Sequence, residues 1–326
     1  MAAPPEPPIR LDLKHFRILS YNVRYFGHAL RGLASTERAK KRIAAAVAGM
    51  RPLPDVICLQ EVEHISVRSR IAAARRPDQT ETQLETFMRA LGTALQLSGK
   101  HDPYEAFYFP AHRYGPASLP IYTTGLAIIV NIERLAVVGH NRDAPHRITH
   151  HHVAALRNRK QTRICAHMRL LVDGKSGKHL DLVNTHLSLP SPFARQFWAS
   201  PNKMGFGPNQ LKEAETLSRF VQANAGEPFI VCGDFNSPPG SPVYRFLTAE
   251  AGMRGVQETL GLIEANHLRG FPTAGIARLR MHLDHMFSSS NGITWLDMDG
   301  THRFADDSSP FHGCSDHVPL IGSFVL

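Results

Sequence analysis

Short runs of consecutive apolar residues recur along the chain, and turn-forming or polar residues close each of them. The clearest is FIVC at 229–232, which is followed by GDFN at 233–236 and SPPG at 237–240. An apolar run bounded by turn residues predicts a buried strand. Asp234 and Asn236 stand two positions apart, so their side chains share one face if the chain is extended there. We therefore expect two polar groups to project together from the end of a rigid strand.

The same succession of apolar runs and breakers predicts further strands. They cover residues 17–23, 55–61, 125–131, 164–172, 179–187, 282–288 and 319–326. The segment DGKSG at 173–177 lies between two of these runs, and its composition predicts a hairpin turn.

Apolar residues spaced three and four apart predict three helices and a short fourth one. They cover residues 36–50, 81–97, 209–225 and 242–247. In the third helix Leu211, Leu217 and Val221 fall on one stripe, and Gly226 stands just past its end. A strand-helix-strand opening followed by paired strands predicts an α/β fold of two mixed sheets with helices outside.

The length of 326 residues, without internal repeats or linkers, favours a single domain with a sizeable core. The proline-rich start, MAAPPEPP, predicts a disordered tail over 1–12, with the domain over 13–326. This start lacks the apolar segment of a signal peptide, so we expect a cytoplasmic protein. No apolar run approaches the length of a membrane span. The four cysteines show no CxxC spacing, which disfavours a zinc site and favours buried free thiols.

Charge narrows the class of partner. Lysine and arginine total 37 against 28 acidic residues, which gives a net charge of +9 and a pI near 9.6. This balance favours a polyanionic partner such as nucleic acid, an anionic lipid surface or a phosphorylated small molecule. The alternative is that the positive charge serves only solubility.

Polar residues follow the apolar runs at six strand ends. They are Asn22, Glu61, Asn184 with His186, Asp234 with Asn236, Asp284 with His285, and Asp316 with His317. A single acid at a strand end is more often a turn former than a ligand. Six such ends in one chain predict convergence on one edge, where oxygen-rich ligands favour magnesium or manganese over zinc.

These residues stand in motifs that resemble those of the endonuclease/exonuclease/phosphatase superfamily, in the same order. The motifs are SYNV at 20–23, LQE at 59–61, NTHL at 184–187, GDFN at 233–236, LDH at 283–285 and SDHVP at 315–319. The superfamily includes deoxyribonucleases, neutral sphingomyelinases, inositol polyphosphate 5-phosphatases and poly(A) deadenylases. The resemblance implies a four-layer α/β/β/α sandwich and metal-dependent hydrolysis of a phosphoester.

The resemblance also implies a role for each motif residue. Glu61 would be the principal magnesium ligand, with Asn22 beside it and Asp316 as a further acid of the metal shell. Asp234 would align or deprotonate the attacking water, helped by Asn236. Manganese is the alternative ion.

The remaining motif residues would engage the scissile phosphate. His186 would contact a phosphate oxygen, and His317, oriented by Asp284, would touch the phosphate as well. The sequence leaves open whether Asp234 or the pair of His317 and Asp284 is the formal base.

Two departures from the superfamily pattern argue against its abasic-site endonuclease branch. That branch carries an acid two residues after the first Asn, where this chain has Arg24, and a Tyr-x-Pro-Asn segment where it has NTHL. We interpret Arg24 and Asn184 as candidate substrate-binding residues.

Segments 101–123 and 188–208 are interpreted as inserted loops, and both are rich in aromatic residues. In the second, Phe197 and Trp198 are candidates for stacking on bases or for entering a lipid interface. The alternative is that these aromatics pack against their own domain. The basic segment 142–163 is interpreted as a phosphate-binding patch or a solvated loop.

Three hypotheses for the function follow. The first is a magnesium-dependent nuclease or phosphodiesterase acting on nucleic acid. The second is a phosphodiesterase or phosphatase acting on a phospholipid head group, as a sphingomyelinase does, or on a phosphorylated small molecule. The third is a catalytically silent binding protein on the same fold, which the intact motifs disfavour.

Overall fold

The computed structural model describes residues 15–26, 32–66, 82–114, 122–150, 161–173, 177–190, 204–264, 271–276, 279–299 and 307–326. Within these residues the chain forms two large mixed sheets flanked by helices. The first sheet contains, in spatial order, β14 (Thr294–Asp299), β15 (Leu320–Val325), β1 (His15–Asn22), β2 (Val56–Ser66), β4 (Tyr122–Asn131) and β3 (Tyr104–Tyr114).

The second sheet and the helices complete the fold. The sheet contains, in spatial order, β10 (Arg254–Gly255), β13 (Asp284–Ser288), β9 (Phe229–Asp234), β8 (Lys178–His186), β7 (Ile164–Asp173) and β5 (Ala136–His140), and β6 (His146–Arg147) also pairs with β7. A separate ribbon consists of β11 (Ala274–Ile276) and β12 (Leu279–Met281). The helices are α1 (Gly32–Gly49), α2 (Gln83–Leu97), α3 (Pro208–Asn224), α4 (Pro242–Arg245), which a π-helical turn follows at Phe246–Glu250, and α5 (Val256–Thr259).

Three apolar layers hold the sheets and helices together. Between the sheets, Cys58 and Ile128 of the first pack with Leu182 and Ile230 of the second. A second layer joins the outer face of the first sheet to α1 and α2, and a third joins the second sheet to α3 and α4. The fold is therefore the predicted four-layer sandwich, because each sheet has one face for its partner and one for helices.

Each sheet is built around one parallel pair. In the first sheet β1 runs parallel to β2, and in the second β8 runs parallel to β9. The antiparallel strands β15 and β13 lie beside β1 and β9, so their amino ends stand next to the carboxyl ends of the parallel strands. One edge of the sandwich therefore receives the ends of five strands, and β2 passes it on its way to Ser66.

The segment 101–123 differs from the prediction of an inserted loop. Residues 104–114 form β3, an edge strand that pairs with β4, and Phe107 and Phe109 enter the core between the sheets. Pro110 is exposed, and the register of β3 with β4 shifts between Pro110 and His112. A proline within the segment hides the strand in the sequence and is compatible with an edge position. The described aromatics of this segment therefore contribute to packing within the domain.

Buried amides join the two sheets. Gln60 Nε2, in the first sheet, donates to Asn184 Oδ1, in the second, over 2.8 Å. Asn184 Nδ2 in turn donates to the carbonyl oxygens of Leu59, at 3.0 Å, and Ala127, at 3.1 Å. Both side chains are fully buried. Because hydrogen bonds are directional, these bonds fix the position of one sheet on the other. Apolar packing alone would tolerate small shifts between the sheets.

The four cysteines are free and buried, as predicted. None of the helices among the described residues is long and apolar enough to cross a membrane.

At the opposite end of β2, Asp55 sits in a buried ionic contact. Its Oδ2 accepts from the backbone N–H of Arg17 at 2.7 Å, and its Oδ1 lies 2.6 Å from Arg134 Nε. Neither Asp55 Oδ1 nor Arg134 Nε makes a well-aligned hydrogen bond. Burial therefore outweighs the arginine charge and raises the pKa of Asp55 to about 6.

We predict that Asn184→Leu lowers the free energy of unfolding by about 2–4 kcal/mol, because it removes three buried hydrogen bonds and leaves their partners unsatisfied. Urea unfolding measures the change. Asn224→Leu, the same substitution at an exposed residue near the end of α3, is the matched control and should change stability by less than about 1 kcal/mol. Equal stability of the two variants would contradict the structural role of Asn184.

We predict that Asp55 makes stability depend on pH in a direction opposite to that of an ordinary ion-paired acid. The folded state holds the Asp55 proton more tightly than the unfolded chain, so the contribution of Asp55 is complete below about pH 4 and is lost as the pH rises through about 6. Relative to Asp55→Asn, the unaltered protein should lose on the order of 2–3 kcal/mol between pH 4 and pH 7. Urea titrations across this range test it, with the exposed Asp297→Asn as control. A difference that stays constant or grows with pH would contradict it.

Candidate active site

Five strand ends and a bulge in β2 bring the predicted polar residues to one edge of the sandwich. Asn22 and Glu61 lie on the first parallel pair, and His186 and Asp234 lie on the second, where they are directly paired in register. Asp284 opens the neighbouring strand β13 opposite Asp234. The segment with Asp316 and His317 precedes β15, and its His317 forms a bridge to Ala274 of the ribbon. The predicted convergence is therefore present.

Glu61 is aimed by a bulge and not by a strand end. Strand β2 continues to Ser66, and its register with β4 shifts between Leu59 and Val62. Glu61 has φ 54°, a left-handed conformation that is uncommon for a residue with a side chain. Bulges of this kind redirect a side chain within a continuous strand. The expectation that the strand ends at Glu61 was therefore wrong, because the apolar run stops there while the pairing does not.

The turn after β9 depends on close backbone approach. A Cβ on Gly233 would lie 1.9 Å from the carbonyl oxygen of Thr185, and its φ is 146°, so glycine is required there. Asn236 has φ 49°, and its backbone N–H donates to Asp234 Oδ1 at 2.9 Å. This local bond ties Asp234 and Asn236 into one unit beside β8.

Asp234 is the centre of the site. Its Oδ2 accepts from Asn22 Nδ2 at 3.0 Å and lies 3.4 Å from His186 Nε2 and 3.7 Å from His317 Nε2. Burial raises the pKa of Asp234 to about 7, the positive His317 opposes this rise, and the neighbouring Asp284 adds to it. The carboxyl can therefore exchange a proton near neutral pH.

His317 and Asp284 form the predicted pair, with Nδ1 and Oδ2 2.9 Å apart. The backbone N–H of Asp284 donates to Thr273 Oγ1 at 3.0 Å, and that of His317 donates to Ser315 Oγ at 3.2 Å. Burial lowers the pKa of His317, but the carboxylates of Asp284 and Asp234 outweigh burial and raise it to about 9. His317 is therefore a cation at neutral pH.

His186, unlike His317, is neutral. Its Nδ1 lies 2.8 Å from NH1 of Arg163, and Asn236 Nδ2 lies 3.2 Å from its Nε2. Burial, the charge of Arg163 and the charge of His317 together hold the pKa of His186 well below its usual value. The site thus presents one neutral and one positively charged imidazole.

The donor set fits a hard divalent cation. The carboxylates of Glu61 and Asp234 both approach Asn22 Nδ2, at 3.5 and 3.0 Å. One ligand atom from each of Asp234, Asp284 and His317 lies within 4.8 Å of the others. The raised pKa of Asp234 shows that its negative charge is not fully balanced by the protein alone. The carboxylate oxygens in this arrangement suit magnesium or manganese, and no cysteine is among them. Asn22 directs its amide N–H groups at these carboxylates, so in this arrangement it is their hydrogen-bond donor.

Arg24 and Asp316 form an ion pair at the same edge. Arg24 begins a turn in which Arg24, Tyr25 and Phe26 have φ of 41°, 58° and 52°. Its backbone N–H donates to Asn22 Oδ1 at 3.0 Å. The roles predicted for Asp316 as a metal ligand and for Arg24 in substrate binding stay predictions. A metal ion at Asp316 or a phosphate at Arg24 would have to compete with this ion pair.

Other candidates lie elsewhere. Asn184 uses its amide to join the sheets and is fully buried, so we assign it to the core and not to substrate binding. His285 is also buried and lies 2.7 Å, through Nε2, from the carbonyl oxygen of Ser237. Phe197 and Trp198 lie outside the described residues.

Arg163 is a site residue that the sequence did not reveal. The sequence placed it in a basic, solvent-facing segment, but its side chain is buried against His186. Nothing in its neighbourhood along the chain marks it, because the contact joins residues 23 positions apart, one just before β7 and the other on the adjacent strand β8.

The geometry agrees with comparisons to known proteins. The model of the Endonuclease/Exonuclease/phosphatase family matches residues 19–317. The human Nocturnin catalytic domain with bound sulfate anion shares 20% identity, with a TM-score of 0.59, over 95% of this chain and 94% of its own. ANGEL2, a 2′,3′-cyclic phosphatase, shares 17% identity, with a TM-score of 0.60, over 95% of each chain. No curated protein sequence matches the chain.

D. rerio TDP2 complexed with single strand DNA product has the same fold, with 16% identity and a TM-score of 0.54 over 96% of this chain and 99% of its own. At these identities the likeness demonstrates a shared fold. The family model adds a match that covers nearly all the motifs at the edge of the sandwich. The chain therefore belongs to the endonuclease/exonuclease/phosphatase family, a family of phosphoesterases.

Proposed function

We propose that the chain is a magnesium-dependent phosphodiesterase that cleaves nucleic acid. The observation that carries this proposal is the position of Asp234, buried between a cationic His317 and a neutral His186 with Glu61 and Asn22 beside it. Phosphoester hydrolysis requires carboxylate oxygens that bind a cation, a carboxyl group that can deprotonate water, and groups such as imidazoles that contact the phosphate. The site contains all of these.

Each residue has a role in this proposal. Glu61 and Asp316, with Asn22 beside them, would hold the magnesium ion, which when bound would offset phosphate charge and stabilise the leaving oxygen. Asp234, positioned by Asn236, would accept the proton of the attacking water. His186 would donate to a nonbridging oxygen of the phosphate.

The protonation states favour Asp234 over His317 as the base. A pKa of about 7 suits proton transfer near neutral pH, whereas a histidine whose pKa is about 9 already carries its proton. His317, held by Asp284, would instead stabilise negative charge on the phosphate as attack proceeds. Arg24, partly exposed beside Asp316, would bind a flanking phosphate.

The choice of nucleic acid rests on charge and on likeness. The net charge of +9 favours a polyanion, and the similar TDP2 was solved with single-stranded DNA. The alternative substrate is a phospholipid head group or a phosphorylated small molecule, which the same site chemistry accommodates.

We predict that Asp234→Asn and His317→Ala each lower kcat at least about 100-fold on plasmid DNA and on bis(4-nitrophenyl) phosphate, because they remove the base and the charge opposite the phosphate. EDTA should abolish the activity of the unaltered protein and magnesium should restore it. Asp297→Asn and His179→Ala, which change an exposed acid and an exposed histidine, are the matched controls. Full activity in EDTA, or in Asp234→Asn, would overturn the mechanism.

We predict that nucleic acid is the preferred substrate and that kcat/KM for it falls steeply between 50 and 200 mM salt, because phosphate contacts by arginine and lysine release counterions. The panel contains plasmid DNA, single-stranded DNA, RNA, sphingomyelin vesicles and inositol phosphates, each with magnesium. Cleavage of sphingomyelin or inositol phosphates alone would favour the alternative substrate class. A flat response to salt would count against nucleic acid.

A further inference from the structure

The ring of His186 lies between a positively charged hydrogen-bond donor and two acidic side chains. On one side Arg163 NH1 lies 2.8 Å from Nδ1. On the other, Nε2 lies 3.4 Å from Asp234 Oδ2 and 3.9 Å from Glu61 Oε1. His186 and Arg163 are both buried, so water does not compete strongly for either contact.

The two sides determine which nitrogen carries the proton. A guanidinium stays protonated in proteins and has only donors, so Nδ1 must accept from Arg163. A neutral imidazole with an accepting Nδ1 carries its single proton on Nε2. That proton faces the carboxyl oxygens of Asp234 and Glu61, at 3.4 and 3.9 Å, so the assignment places the proton on the side of the acceptors.

The contact with Asn236 permits one competing assignment. If Nε2 accepted from Asn236 Nδ2, at 3.2 Å, Nδ1 would carry the proton and would oppose the guanidinium of Arg163. Asn236 Nδ2 already donates to the carbonyl oxygen of Leu187 at 2.9 Å. The contact with Arg163 is shorter and involves a full charge, so it decides the tautomer.

The backbone holds Arg163 in place. Its N–H donates to Thr149 Oγ1 at 2.5 Å, and its carbonyl oxygen accepts from the N–H of Ile148 at 2.9 Å. Arg163 directly precedes β7, which pairs with the strand that carries His186. The guanidinium also lines a small cavity together with Glu61, Thr124 and His186. These backbone hydrogen bonds therefore hold Arg163 beside the strand that carries His186.

We propose that Arg163 is a positioning residue that holds His186 in the tautomer protonated on Nε2, so that His186 can act only as a hydrogen-bond donor to a phosphate oxygen. The role towards phosphate rests on the proposed function, whereas the tautomer is a property of the free protein. The two imidazoles then have different roles. His317 supplies charge, and His186 supplies an oriented N–H that cannot take up the proton of the attacking water.

The tautomer is tested by long-range ¹H–¹⁵N correlation spectra of the histidine rings in the full-length protein without metal at pH 7. Among the 19 histidines, the signals of His186 are those lost in His186→Gln. We expect an unprotonated Nδ1 and a protonated Nε2. Arg163→Met should move these signals towards the form protonated on Nδ1 or a mixture, and Arg163→Lys, which keeps a charged donor, should preserve them.

Two spectral results would overturn the proposal. One is protonation on Nδ1 in the unaltered protein, which decides the matter even if Arg163→Met does not fold. The other is an unchanged His186 spectrum in a folded Arg163→Met variant, with folding checked by the retained signals of His317. Arg163→Gln, which keeps a donor without charge, separates the tautomer effect from the loss of positive charge.

Hydrolysis of bis(4-nitrophenyl) phosphate with magnesium tests the consequence. Arg163→Met should lower kcat about tenfold or more, because the N–H of His186 would no longer donate to the phosphate oxygen in the transition state. Arg163→Lys should keep kcat within about threefold of the unaltered protein. A tautomer shift without loss of kcat would overturn the positioning role. Absence of hydrolysis by the unaltered protein would instead refute the proposed function, and the spectra would still test the tautomer.

Discussion

The buried hydrogen bonds that Asn184 makes with Gln60 and with two backbone carbonyls join the two sheets directly beneath the candidate site, and the arrangement of the site depends on them. Gln60 immediately precedes Glu61, and Asn184 stands two residues before His186 on the same strand. Apolar layers hold the sheets together but resist sliding weakly, whereas an amide bonded to a side chain and two backbone carbonyls has one orientation. Across this join, Asn22 of the first sheet lies 3.0 Å from Asp234 of the second, and Glu61 lies 3.9 Å from His186.

The site concentrates charge where water is scarce, and the consequences follow from electrostatics. Burial, with the charge of Asp284 nearby, raises the pKa of Asp234 to about 7. The carboxylates of Asp284 and Asp234 in turn raise the pKa of His317 and keep it charged. Left-handed backbone at Glu61 and Asn236 adds local strain, which the surrounding sheets hold in place. A cation, a water and a phosphate would enter a framework whose dipoles and charges are already oriented.

Much of this could be predicted from short stretches of sequence. The apolar run before Asp234 specifies a buried strand, and the turn residues after it specify where it leaves the core. The stripe of Leu217 and Val221 on α3 specifies a helix packed on a sheet. Harder to predict were β3, which contains Pro110, and the bulge at Glu61, since both depend on pairing with β4.

The sequence by itself determined the strands that carry the site, the long helices and the six polar motifs, because each follows from a pattern of residues close together in the chain. The tertiary structure alone decided which of those polar groups serve the site. It directed Asn184 into the join between the sheets and brought Arg163 onto His186. The physical reason is that a polar side chain takes its role from the partner it meets across strands. That partner is selected by sheet register and packing, which no local pattern encodes.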